Sequence, residues 1–249
     1  MSIRPRTAAA LLLALATAPL LAAEAGPRRE RVAFAKGAAS ATIQGKLTGH
    51  ESVDYLVDAR AGQTISVALK VSNEAASFNL LPPGSADAAM FVSQAGEAFT
   101  GTLPDDGDYA VRVYRVRAAA RRTEASDYTL TIGVTGQPLH PLAAAEDATL
   151  PGTRFHAAGT VSCVPRPYAD SKPQACEGLV VRRGHDGTAT VEIRQGDFRR
   201  RILFVAGKPV AADTFEAMKV ARQDDRDTTV VTFDSGERHE IVDALLTGG

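Results

Sequence analysis

Apolar side chains recur at every second position through much of this 249-residue chain. Strict alternation indicates half-buried antiparallel strands that turn one face to a core. A single open sheet would leave that apolar face in water, so residues from about 30 to 136 are predicted to form an antiparallel β-sandwich of roughly seven or eight strands. The alternating positions are Val53, Tyr55 and Val57; Ile65, Val67, Leu69 and Val71; Tyr109, Val111 and Val113; and Tyr128, Leu130, Ile132 and Val134.

The same pattern resumes at residue 153 and predicts a second small, mostly-β domain over residues 153–249. Residues 137–152 are rich in Pro and Ala, and the three prolines oppose both a strand and a long helix, which predicts a linker. The fold class is therefore all-β. The predicted strands of the second domain are Phe155–Cys163, Cys176–Arg183, Thr188–Arg194, Arg200–Val205, Met218–Arg222, Thr228–Phe233 and Arg238–Ile241, followed by a short helix at Val242–Leu246.

The N-terminal segment has the pattern of a secretory signal peptide. Arg4 and Arg6 give it a positive start, Ala8–Leu21 is apolar, and Ala23-Glu24-Ala25 places small residues where a signal peptidase cuts. A membrane anchor is the alternative, but it needs a longer run and a basic flank. Residues 1–25 are predicted to be removed, which leaves a periplasmic or secreted protein with no membrane insertion.

In an oxidising compartment Cys163 and Cys176 are predicted to form one structural disulfide. The alternative is a metal pair completed by His156 or His185. The histidines of this chain are scattered singly, without the spacing of a zinc site. We therefore expect no metal and no cofactor.

The net charge argues against nucleic-acid binding, and the absence of catalytic motifs argues against an enzyme. The chain carries 28 Lys and Arg against 29 Asp and Glu, a net charge of −1, which offers no general attraction to nucleic acid. It contains no nucleophile elbow, phosphate-binding loop or dinucleotide fingerprint. No catalytic residue is predicted and the chain is expected not to be an enzyme, although a triad built from distant residues would leave no such motif.

The strongest local feature is basic. Between Tyr109 and Tyr128 the chain reads YAVRVYRVRAAARRTEASDY. A period of two residues places Arg112 and Tyr114 on the solvent-exposed face of a strand, and the other arginines follow at the end of that strand. Arg and Tyr anchor many protein interfaces. The predicted partner-binding residues are Arg112, Tyr114, Arg115, Arg117, Arg121 and Arg122. The alternative is a solvated hairpin whose arginines pair with Asp105, Asp108, Glu124 and Asp127.

Two further charged stretches are given structural interpretations. Residues 103–108, LPDDGD, are predicted to be a turn, with calcium binding as the alternative. Arg199-Arg200-Arg201 is predicted to be a solvated sheet edge that prevents aggregation.

Four stretches of the first domain carry a family resemblance. They are GHESVDYLVDARAG at 49–62, FNLLPPG at 78–84, GTLPDDGDYAVRVY at 101–114, and residues 117–123. This pattern resembles a secreted bacterial β-sandwich family related to the pre-peptidase C-terminal fold. That family includes periplasmic inhibitors of invertebrate-type and goose-type lysozymes. The resemblance covers residues from about 30 to 136 and not the second domain.

The resemblance implies binding without turnover. It implies that an Arg- and Tyr-bearing loop or strand end within Arg112–Arg122 enters the acidic active-site cleft of a lysozyme of the invertebrate or goose type. Arginines are suitable partners for such a cleft because they bind carboxylates with two parallel hydrogen bonds. The alternative function is a cell-envelope module that binds a glycan or another envelope protein without inhibition.

Overall fold

The structure is a computed structural model that describes residues 26–94, 96–122, 124–165 and 171–248. The predicted signal peptide, residues 1–25, lies outside the described residues. Within the described ranges, no helix has both the length and the apolar character needed to cross a membrane.

Two sheets form the N-terminal part of the structure. A five-stranded sheet has the order β1-β3-β8-β5-β6, and a four-stranded sheet has the order β2-β9-β4-β7. The predicted sandwich is confirmed, with one difference: β1 runs parallel to β3. The elements are β1 (Arg28–Arg31), β2 (Ser40–Leu47), β3 (Ser52–Ala59), β4 (Thr64–Val71), β5 (Ala76–Leu81), β6 (Phe91–Val92), β7 (Phe99–Thr102), β8 (Gly107–Arg115), α1 (Arg117–Ala120) and β9 (Ser126–Thr135).

The alternating apolar residues of both sheets meet in one core, which includes Val111 and Leu130. Two tyrosines cross this core, and their hydroxyl groups lie 2.7 Å apart in a Tyr55–Tyr128 hydrogen bond. Gly45 faces Tyr128 across the β2–β9 pair. A Cβ at Gly45 would overlap the Tyr128 ring, so only glycine leaves the ring room to reach Tyr55.

The C-terminal part is one eight-stranded antiparallel sheet of order β14-β13-β12-β11-β10-β17-β16-β15. Successive strands are neighbours, and β17 returns to pair with β10. Strand β14, which contains Pro209, was not among the predicted strands. The elements are β10 (Ala157–Val164), β11 (Gln174–Arg182), β12 (Ala189–Gln195), β13 (Phe198–Val205), β14 (Lys208–Ala212), β15 (Met218–Gln223), β16 (Thr228–Phe233), β17 (Arg238–Val242) and α2 (Asp243–Thr247).

The predicted disulfide is confirmed. Cys163 on β10 and Cys176 on β11 are bonded and lie in the core of the eight-stranded sheet. In the chain-entropy description, a bridge that closes so short a loop contributes on the order of 3 kcal/mol.

The turn between β7 and β8 joins the sandwich to the eight-stranded sheet. The buried Asp105 carboxylate accepts hydrogen bonds of 2.8 and 2.6 Å from the two terminal nitrogens of Arg154. Arg183 and Arg201 each approach Asp105 to 3.2 Å, and Arg183 also binds Asp106. The turn prediction for residues 103–108 holds, but the calcium alternative is wrong, because arginines occupy these two carboxylates.

The prediction of a solvated edge at Arg199-Arg200-Arg201 is also wrong. Strand β13 lies between β12 and β14, so it is not an edge. Arg201 is 5% exposed and binds Glu192 and Asp213. Arg200 binds Glu237 through two hydrogen bonds. Acidic side chains from other parts of the fold, rather than water, neutralise these charges.

The predicted division of the chain at residues 137–152 stays a prediction. Chain segments on both sides of it meet directly: Thr190 of β12 donates a 2.7 Å hydrogen bond to the carbonyl of Pro104. The Arg201 guanidinium donates a 3.0 Å hydrogen bond to the carbonyl of Pro83.

Candidate functional site

A short basic turn, residues 116–122, connects β8 to β9 and contains α1. Its inner side is formed by Ala119 and Ala120, which are both buried. The Val116 amide donates a 3.0 Å hydrogen bond to the carbonyl of Ala75, which ties the turn to the segment before β5. Small apolar residues on one side and a backbone anchor at its start hold this turn against the sandwich.

Arg115 supports the turn from inside the protein. It is 5% exposed, because the alternation of β8 turns it inward after Val111 and Val113. Its side chain donates hydrogen bonds to the Ser126 hydroxyl at 3.2 Å and to the Arg122 carbonyl at 3.3 Å. The structure therefore does not bring this predicted partner-binding residue to the surface, and its contacts are those of a positioning residue.

Arg112 and Tyr114 lie on the outer face of the five-stranded sheet, as period 2 predicts, but both are half-buried. Arg112 makes hydrogen bonds of 2.7 and 3.0 Å to the two oxygens of buried Asp54, its register partner on β3. These hydrogen bonds raise the pKa of Arg112, and burial raises the pKa of the Tyr114 hydroxyl. The charge of Arg112 is thus already neutralised.

Arg117, Arg121 and Arg122 are the exposed arginines of the basic turn. In the described part of the chain, no hydrogen bond or ion pair involves their guanidinium groups. Arg117 and Arg121 are four positions apart along a helical turn, a spacing that puts two side chains on one face. Only these three of the six predicted residues form an exposed cationic surface.

Three of the four acids named in the solvated-hairpin alternative have other partners, and the fourth, Glu124, forms no ion pair with the basic turn among the described residues. Asp105 binds Arg154, and Asp108 binds Arg31 through hydrogen bonds of 2.8 and 2.7 Å. These bonds with Arg31 lower the pKa of Asp108. Asp127 lies 3.9 Å from Lys46. The acids near the basic turn in sequence therefore do not neutralise it.

The basic turn lies at the opposite end of β8 from the eight-stranded sheet. Strand β8 begins at Gly107, next to the Asp105 contacts, and ends at Arg115, where the turn follows. Eight residue steps of an extended strand span about 26 Å. The second sheet consequently leaves the exposed face of the basic turn uncovered.

Sequence reasoning missed the Asp54 partner of Arg112. The signal that could have found it is the polar position in Ser52–Ala59, SVDYLVDA, within an otherwise apolar strand. No such sequence signal marked the acidic partners of Arg154, Arg183 and Arg201, because those partners lie on elements whose pairing the sequence does not reveal. Among the described residues, no group of three His, Cys, Asp or Glu side chains could hold a metal ion.

Fold and site together define a β-sandwich that presents an exposed cationic turn on a rigid support. No family model matches the chain. It is 32% identical over 137 residues to an inhibitor of g-type lysozyme from Escherichia coli (strain K12), a match that covers 54% of this chain and 99% of that protein. The chain belongs to the family of inhibitors of g-type lysozyme. Close to half of it lies outside the match.

Several solved structures are similar to part of the chain. A periplasmic inhibitor of g-type lysozyme from Aeromonas hydrophila is 34% identical, with 44% of this chain and 98% of that chain covered and a TM-score of 0.42. The Salmonella Typhimurium inhibitor is 31% identical, with 43% and 98% covered and a TM-score of 0.35. A pre-peptidase C-terminal domain of a Bacillus anthracis collagenase is 16% identical, with 44% and 98% covered and a TM-score of 0.34. The match to the Escherichia coli inhibitor confirms the predicted resemblance to the lysozyme-inhibitor family. The periplasmic or secreted localisation stays a prediction.

Proposed function

We propose that this protein inhibits g-type lysozyme without catalysing a reaction, and that the basic turn is the part that enters the enzyme's cleft. Membership of the inhibitor family supports the activity. The observation that carries the choice of site is the pair Arg117 and Arg121, which are exposed and have no acceptor in the described residues. A guanidinium without an internal acceptor keeps its donors for carboxylates of a partner.

Rigidity is the second argument for the basic turn. An interface loses less free energy to ordering when its contacting groups are held in place before binding. Arg115, Ala119 and Ala120 hold the turn from inside. The exposed arginines project from a fixed backbone, and only their own side chains have to be ordered on binding.

Position is the third argument. The extra sheet of this chain docks at the Asp105 end of the sandwich, about 26 Å away along β8. A partner that contacts the basic turn can therefore approach without meeting the eight-stranded sheet. Arg112 and Arg115 contribute by holding the strand and the turn, and Arg117 and Arg121 by direct contact.

The test is inhibition of goose-type egg-white lysozyme by the mature protein, with invertebrate-type and hen-type lysozymes as comparisons. We expect inhibition of the goose-type enzyme. We expect the double variant Arg117→Ala/Arg121→Ala to raise the inhibition constant by at least about thirtyfold, since a single interface arginine of this kind contributes about 2 kcal/mol. Arg60→Ala is the matched control, because Arg60 is exposed but lies at the junction end of the sandwich.

Two results would contradict the proposal separately. Full goose-type activity at micromolar protein would reject inhibition. Inhibition that is equal for the double variant and the wild type would keep the activity and move the contact surface away from the basic turn.

A further inference from the structure

A cleft at the junction of the sandwich and the eight-stranded sheet is separate from the basic turn. Its volume is about 530 Å³, which is within the range of small-ligand sites. One wall is the loop after β5, with Pro82, Pro83 and Gly84. The other wall includes strand β13 and the segment between β14 and β15. Clefts between two packed units are common places for ligands.

Ion pairs beside this cleft form one connected network of six arginines and five carboxylates. The arginines are Arg154, Arg183, Arg194, Arg199, Arg200 and Arg201, and the carboxylates are Asp105, Asp106, Glu192, Asp213 and Glu237. The lining of the cleft also contains the acids Asp197 and Glu216.

Two arginines of the network, Arg194 and Arg199, are exposed on the cleft. Their side chains are 35% and 44% exposed, and both line the cleft. Each contacts the same oxygen of Glu192 through its Nε atom, at 2.6 and 3.1 Å. Glu192 is itself shared with Arg154 and Arg201, so one carboxylate serves four guanidinium groups.

The terminal nitrogens of Arg194 and Arg199 have no acceptor in the described part of the chain. Arg199 Nη1 extends toward the opposite wall and lies 3.9 Å from the position that a Cβ on Gly84 would take. A guanidinium fork with free terminal nitrogens fits the two oxygens of a carboxylate. The cleft thus offers donors for one carboxylate group.

The rest of the lining favours a sugar over a simple anion. The Phe215 side chain is 65% exposed, the most exposed large apolar residue described. The electron-rich face of an aromatic ring attracts the C–H groups on the flat side of a sugar ring. The carboxylate of Glu216, also in the lining, accepts a hydrogen bond from the Ser235 amide and has oxygen lone pairs left for hydroxyl groups.

We propose that this junction cleft binds a carboxylate-bearing sugar, with Arg194 and Arg199 holding the carboxylate and Phe215 stacking on the ring. The site does not depend on lysozyme inhibition, because it lies at the other end of the sandwich. It gives the eight-stranded sheet a role in recognising an acidic carbohydrate.

Isothermal titration of the mature full-length chain tests the proposal, with N-acetylmuramic acid as the probe. N-acetylglucosamine supplies the ring without the carboxylate, and lactate supplies the carboxylate without the ring. We expect saturable binding of N-acetylmuramic acid and binding at least about tenfold weaker for either fragment, as expected when one charged hydrogen-bonding group is lost. Absence of binding by N-acetylmuramic acid would overturn the site. Equal binding of lactate or inorganic phosphate would overturn its assignment to a sugar.

Variants locate the site. Arg199→Ala should weaken binding about tenfold, and Arg199→Lys, which keeps the charge but loses the fork, should have an intermediate effect. Arg226→Ala is the matched control, since Arg226 is exposed and lies in the turn between β15 and β16. Thermal unfolding checks that Arg199→Ala is folded. All Arg199 variants should inhibit lysozyme as the wild type does, and unchanged sugar binding by Arg199→Ala would overturn the proposal.

Discussion

Two arginine-rich segments of this chain have opposite environments. Residues 115–122 contain RVRAAARR, and residues 199–201 are RRR. In the first segment Arg117 and Arg121 are exposed and have no internal acceptor among the described residues. In the second, half-buried Arg200 and buried Arg201 form ion pairs with acids from other parts of the fold. The comparison teaches that a run of like charges carries no information about its surroundings until the acidic side chains around it are located.

The physical cause of the difference lies in the neighbouring strands. A buried charge is tolerated only when it is paired and hydrogen-bonded. Strand β13 has Glu192 on β12 and Asp213 after β14 as neighbours. The basic turn projects beyond the end of β8, where no described strand places an acid in an ion pair with its arginines. Burial of Arg200 and Arg201 stabilises the junction, and exposure of Arg117 and Arg121 leaves them free for a partner.

The largest expected loss of stability comes from removing a carboxylate of the buried ion-pair network at the junction. Asp105→Ala leaves Arg154, Arg183 and Arg201 without a shared carboxylate. We expect a loss of about 3–5 kcal/mol in the free energy of unfolding, the usual result of removing one member of a buried charge cluster. Urea denaturation at pH 7 measures it.

Asp108→Ala is the matched control for this prediction. Asp108 lies in the same short segment as Asp105, but its ion pair with Arg31 is exposed. Such surface pairs contribute about 1 kcal/mol or less. Equal losses for the two variants would contradict the buried-junction interpretation.

Lowering the pH should destabilise the junction, because it protonates the carboxylate of Glu192. Burial acts to raise the pKa of this carboxyl, but Arg201 and the other arginines around it outweigh burial and lower the pKa. The unfolded chain then takes up the proton first as the pH falls. The stabilisation by Glu192 is complete above the unfolded pKa of about 4.3 and is lost below it.

Comparing wild type with Glu192→Gln between pH 7 and pH 3 isolates this contribution. We expect the free energy of unfolding of the wild type to fall more steeply below about pH 4.3 than that of the Gln variant, which has no carboxyl at this position to titrate. Parallel curves for the two proteins would show that Glu192 is not responsible. The effect should be smaller than that of Asp105→Ala, because a protonated carboxyl still forms hydrogen bonds.

The smallest expected effect is a difference in stability between substitutions of Arg115 and Arg117. Arg115→Ala leaves the Ser126 hydroxyl and the Arg122 carbonyl without their partner, which should cost about 1–3 kcal/mol of unfolding free energy. Arg117→Ala should change stability by no more than about 0.5 kcal/mol, as an exposed substitution does. Thermal or urea unfolding of both variants measures the contrast. A similar cost for both would mean that Arg115 does not position the turn.

Several elements could be predicted from local pattern alone. Strand Thr228–Phe233 has the predicted bounds, and the closing helix is shifted by one residue, from Val242–Leu246 to Asp243–Thr247. The inward face of β8 follows from the alternation of Tyr109, Val111 and Val113. Strand β14 was not predicted. It contains Pro209, which cannot donate a backbone hydrogen bond, and it lies at the edge of the sheet beside β13.

The amino-acid sequence by itself determined the all-β class, the alternation that builds the sandwich, the disulfide and the family, because these depend on the local period of side chains and on matching motifs. Only the tertiary structure decided which arginines are free. Arg115 is buried, Arg112 is paired with Asp54, and Arg117 and Arg121 are exposed. The reason is that a charge is neutralised by whichever acid lies within a few ångströms of it, and strand pairing sets those distances.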